Sequence, residues 1–172
     1  MRVRTILLVE GGTTGGLLEA KEMTVLYFED FALGQKFGSG WFAVDAAEIK
    51  SFAAEYDPEP FHLDEVAAAK NAVLRGLTAS GWHTASITMR LLVESEFRPA
   101  GGIVGFSADE IRWPRPVRAG DELRVETEIL HVRPSKSRPA YGIVKIRTTT
   151  FNQGNEPVQI LVSNLLVERR SG

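Results

Sequence analysis

The sequence predicts an α+β fold: one domain in which a long buried helix lies beside an antiparallel sheet. Three observations predict it. After Gly81, apolar residues recur at Ala85, Ile87, Met89, Leu91, Leu92 and Val93, and such all-round apolarity reads as a buried helix running to about Glu94. After Gly101-Gly102 the pattern changes to four long strand candidates, at 103–113, 121–132, 141–152 and 158–169. Turn clusters at 114–120, 134–139 and 152–157 separate them. A helix followed by a run of antiparallel strands is an α+β arrangement, and no internal repeat marks a second domain.

The remaining elements follow in chain order. Residues 1–9 hold arginines and the short run Ile6-Leu7-Leu8-Val9, too short for a signal-peptide core or a membrane span. Gly11-Gly12-Thr13-Thr14-Gly15-Gly16 has linker composition. No Gly-Lys-Ser/Thr follows, so it is not a phosphate loop. Residues 1–22 are therefore expected to be a dispensable extension, with the domain spanning 23–172. Residues 25–28 read as an extended entry and 38–44 as a strand. Asp45 and Glu48 form a capping-box pattern before a helix with apolar positions at Ile49, Phe52, Ala53 and Tyr56. Pro58 ends that helix, a short one follows Asp64 through 66–69, and 75–80 is a loop.

Bulk properties bound the function. The chain has 172 residues, 44% hydrophobic and 24% charged, enough for one domain with a real core. A net charge of -2 without a basic stripe argues against nucleic-acid binding, and no membrane association is expected. Cysteine is absent, which excludes disulfides and thiolate catalysis and fits a reducing, cytoplasmic location. His62, His83 and His131 lie far apart with no zinc-ligand spacing, so no metal is expected. His83 reads as a core or capping residue and His131 as a structural strand residue.

The richest stretch is Asp57-Pro58-Glu59-Pro60-Phe61-His62. Each proline fixes φ and pushes the preceding residue toward extended geometry, so a rigid, partly exposed bend is expected rather than ordinary helix. It holds a carboxylate and an imidazole together, a common means of activating water near neutral pH. An Asx turn beside a half-buried histidine is the alternative. Downstream comes Gly76-Leu77-Thr78-Ala79-Ser80-Gly81-Trp82-His83-Thr84.

These two stretches resemble the MaoC-like dehydratases, a hot dog-fold family that includes the (R)-specific enoyl-CoA hydratases. Asp57, Pro60, His62 and Asp64 match the signature Asp-x-Asn-Pro-x-His-x-Asp, as does Gly81, while Glu59 replaces the Asn. The resemblance runs from about Leu26 to Arg169. It implies a long central helix wrapped by an antiparallel sheet, and a hydro-lyase that adds water to the α,β double bond of an acyl thioester or removes it. Asp57 and His62 would activate the water and Gly81 would offer its amide to the thioester carbonyl. Ser80, Trp82 and Glu59 are assigned to substrate binding, Trp82 as a wall of the acyl pocket. The basic turn with Lys136 and Arg138 reads as a solvated hairpin tip or as a cradle for coenzyme A phosphates, and Arg112-Trp113 is a second such candidate. No cofactor is implied; coenzyme A or an acyl carrier protein enters as part of the substrate. The expected partners are that acyl-CoA or acyl-carrier thioester and a second copy of the chain, giving a homodimer or larger. A hot dog thioesterase and a non-catalytic partner subunit are the alternatives, the second kept open by Glu59.

Overall fold

The computed structural model describes residues 24–170. Residues 1–22 and the proposed domain start at Met23 lie outside the described residues. Leu26 bridges to Pro99, and a 3₁₀ turn at Phe28–Asp30 follows. The expected strand at 38–44 is instead two short ones, β1 (Lys36–Gly38) and β2 (Phe42–Ala43). Both pair with the same strand, β4 (Glu122–Pro134). At the Ser39-Gly40 break the Ser39 amide still donates to the Val125 carbonyl at 3.1 Å, but the return bond is to a side chain: Ser39 Oγ accepts from the Val125 amide at 2.9 Å.

Helix α1 spans Ala46–Tyr56, and Asp45 caps it by accepting the Glu48 amide at 2.8 Å. The bend that follows is only partly as expected. Residues 57–59 are non-helical, but Pro60–Leu63 forms a helical turn, α2. Proline is well suited to that first helical position, since its missing N–H has no partner to lose there. Asp64 caps α3 (Glu65–Lys70) by accepting the Ala67 amide at 2.7 Å. Helix α4 runs Gly81–Glu94, and its Thr88 hydroxyl meets Thr150 of the sheet at 2.6 Å.

Strands β3 (Val104–Arg112), β5 (Tyr141–Phe151) and β6 (Pro157–Glu168) complete an antiparallel sheet in the order β1-β4-β5-β6-β3, with β2 beside β4. Alternation on β4 and β5 sends Leu123, Val125, Ile129, Val144 and Ile146 to the buried face. Two clusters fill the space under α4. One gathers Ile49, Ala79, Ile87, Leu91, Leu123 and Val125 near the start of α4; the other gathers Phe31, Phe37, Leu92, Phe97 and Ile129 near its end. This is the hot dog architecture.

The helix is not buried all round. His83, Thr84, Ile87, Thr88, Leu91 and Leu92 face the sheet, whereas Trp82, Met89 and Val93 are exposed. A single sheet layer covers one side of a helix, and the opposite apolar stripe is left outside. Among the described residues, no helix is long and apolar enough to cross a membrane.

Candidate active site

Three element ends meet at one place. Asp57 is the C-cap of α1, His62 sits in α2, and Ser80 is the N-cap of α4. Asp57 Oδ2 lies 3.5 Å from His62 Nε2 and accepts the Ser80 hydroxyl at 2.6 Å. Ser80 is fully buried, and its Oγ also accepts the Trp82 amide at 3.1 Å. One hydroxyl thus caps the helix and orients the carboxylate. This places Ser80 behind Asp57 as a positioning residue rather than in the open site.

His62 is 7% exposed, more buried than an ordinary turn would leave it. Its Nδ1 lies 2.7 Å from the Thr78 carbonyl oxygen. A carbonyl only accepts, so Nδ1 carries a hydrogen and Nε2 is the ring nitrogen left to face Asp57. Nε2 thus faces Asp57 Oδ2, where the two groups can share one proton or hold one small hydrogen-bonding molecule between them. Thr78 carries no motif of its own; its place three residues before Gly81 was the only signal in the sequence.

Gly81 opens α4, so its amide has no partner within the helix. The glycine was expected to leave room for an approaching carbonyl. The structure adds a packing reason: a Cβ there would lie 2.9 Å from Trp113 Cε2. Trp113 packs edge-on against Trp82, with centroids 5.5 Å apart, and its Nε1 donates to Gln159 Oε1 at 2.8 Å. The motif revealed neither Trp113, which packs on Gly81, nor the buried Gln159 that holds its ring. Trp82 is 60% exposed and belongs to the outer rim.

Glu59 is exposed and caps α2 through its backbone, with no side-chain bond. Arg118 donates to the carbonyls of Leu74 and Leu77 and fixes the loop that carries Thr78. Lys136 and Arg138 are exposed in the β4–β5 turn, while the residues beside the site pack on the opposite end of β4, around Leu123 and Val125. Within one chain they do not join the dyad. His131 is exposed on β4, and His83 is buried, stacked on Phe52.

Comparison with known proteins bears on the family and the fold. The MaoC like domain matches residues 30–151. The protein YdeM of Bacillus subtilis, itself uncharacterised, is 32% identical over 125 residues, covering 73% of this chain and 86% of that one. A MaoC-like dehydratase structure from Rhodospirillum rubrum is 52% identical, with a TM-score of 0.81 over 86% of this chain and 99% of that one. The (R)-hydratase of A. caviae involved in PHA biosynthesis is 27% identical, with a TM-score of 0.64 over 83% of this chain and 99% of that one.

Proposed function

This chain belongs to the MaoC-like domain family, and from that premise we propose that it is a hydro-lyase acting on the α,β double bond of an acyl thioester. The observation that carries the reading is the approach of Asp57 Oδ2 to His62 Nε2 at 3.5 Å, which lets the pair act on one water. The water oxygen bonds the β-carbon while one of its protons passes to the dyad. A proton from the dyad then reaches the α-carbon, so the net change is one water added. Negative charge that builds on the thioester oxygen meets the Gly81 amide, at the positive end of α4. Dehydration is the same path reversed. The (R)-hydratase among the similar structures supports the reaction class.

The thioesterase reading would direct the same water at the thioester carbonyl. Incubation with crotonyl-CoA separates the two: loss of enoyl absorbance without free thiol is hydration, and release of thiol is hydrolysis. Neither change, with folding confirmed, would leave the non-catalytic subunit. The exposed outer face of α4 and the edge strand β3 support a second proposal, that the chain pairs with its own copy.

A further inference from the structure

Every group of the candidate site hangs on one loop. The Thr78 carbonyl holds His62, the Ser80 hydroxyl holds Asp57, and Gly81 presents its amide at the start of α4. A loop makes no regular ladder of its own, so its accuracy comes from what it leans on.

It leans on the connection between β3 and β4. The Ala79 amide donates to the Val117 carbonyl at 2.8 Å, Arg118 donates to the Leu74 and Leu77 carbonyls, and the Trp113 ring packs on Gly81. That connection is tied in turn to the start of β6. Trp113 Nε1 donates to Gln159 Oε1 at 2.8 Å, and Arg115 meets Glu156 at 3.2 Å and the Pro157 carbonyl at 3.3 Å. The sheet thus reaches the loop of the site through residues 113–118.

Two side chains in this brace are poorly explained by stability. Gln159 is fully buried, yet its Nε2 has no partner among the described residues. An unmet buried donor costs more than one neutral hydrogen bond returns, so an apolar side chain of similar size would serve the core better. What the amide supplies that an apolar group cannot is the oxygen that aims the Trp113 ring. Trp113 itself is 39% exposed, a large indole left partly in water. Its ring closes on the backbone of the first residue of α4: a Cβ on Gly81 would meet three indole atoms at 2.9, 3.1 and 3.2 Å.

We propose that Trp113, aimed by Gln159, is a positioning residue for the hydration step: its ring fixes Gly81, and with it the direction in which the Gly81 amide meets the thioester oxygen. The proposal rests on the hydratase reading above. The ring acts through Gly81 and is not itself catalytic. A slightly misdirected amide still accommodates the ground-state carbonyl but stabilises the developing charge less, so the loss falls on kcat.

The test measures hydration of crotonyl-CoA and its six- and eight-carbon trans-2-enoyl homologues by the full chain, by Trp113→Leu and by Gln159→Leu, with folding checked by melting curves. On the best of these substrates kcat should fall at least about tenfold in both variants, while KM moves less than about threefold. Gly81→Ala gives an independent measurement. Its Cβ meets the indole, so it should lower kcat at least about tenfold in the wild-type background and less than about threefold in Trp113→Leu, where the indole is gone. Unchanged kcat in either variant, a loss confined to KM, or an equal cost of Gly81→Ala in both backgrounds overturns the proposal and leaves the hydratase reading standing. Hydration of none of the three substrates by the wild type overturns the hydratase reading and this one with it. If Trp113→Leu does not fold, Trp113→Phe takes its place, keeping a ring beside Gly81 and removing the Nε1 donor. There kcat should still fall at least about threefold; an unchanged kcat overturns the proposal.

Discussion

Asp57 and His62 act on a single water, so their removal should not be additive. Asp57→Asn and His62→Ala should each slow hydration by at least about a hundredfold, and the double variant should be little worse than either. A single variant that keeps near-native turnover on a competent substrate would break the assignment. The two should differ in stability. A turn of this kind is ordinarily partly exposed, but His62 is buried and donates to the Thr78 carbonyl. His62→Ala leaves that carbonyl without its partner and should cost about 1–3 kcal/mol in urea unfolding. Ser80→Ala frees the Asp57 carboxylate and uncaps α4 together, so kcat should fall roughly tenfold and stability by about 1 kcal/mol. Conserving the hydroxyl with Ser80→Thr should restore part of both. Loss of stability alone would reduce Ser80 to a helix cap.

At the scale of elements, the sequence reveals what local rules control and misses what tertiary packing controls. Pro58, Asp64, Ser80 and Gly81 punctuate the chain where the helices end or begin, because caps and prolines act within a few residues. The pairing of Asp57 with His62 was legible for the same reason, the two being held on one short bend. Trp113, Gln159 and Thr78 were not, since each reaches the site from an element whose position only the assembled sheet defines. The split of β1 from β2 was hidden too, because Ser39 substitutes a hydroxyl for a ladder bond. Helix α4 reads as buried from its composition yet is exposed on one face, since composition reports apolarity and not which face the sheet covers. The same helix carries a pH response. The folded-state pKa of His83 lies below its unfolded value of about 6.5, so the unfolded chain takes up the proton first. Its contribution to stability is complete above that pH and is lost as pH falls from there toward the folded pKa. Melting temperature should therefore drop between pH 7 and pH 5 in the wild type, and less in His83→Leu. Parallel curves would place the acid lability elsewhere.

At the scale of the molecule, six of the twelve exposed large apolar side chains among the described residues lie on α4 or on and beside the edge strand β3. Among the described residues, strand β3 pairs only with β6, and its Val104 and Phe106 are 48% and 53% exposed. Met89, Val93 and Trp82 lie uncovered on α4. A homodimer is expected, and light scattering that gives a monomer at micromolar concentration would count against it. Removal of residues 1–22 should leave melting temperature and activity unchanged; a loss of many degrees would show that the segment is built into the domain. The crossed rings of Trp82 and Trp113 give this surface its own optical signal. One ring stands on the outer face of α4, and the other follows directly on the edge strand β3. Any partner that dries this region must move both rings from water into an apolar setting. Their emission should shift to the blue as copies associate and return to the red on dilution, so the protein's own fluorescence reports its assembly with no label and no substrate.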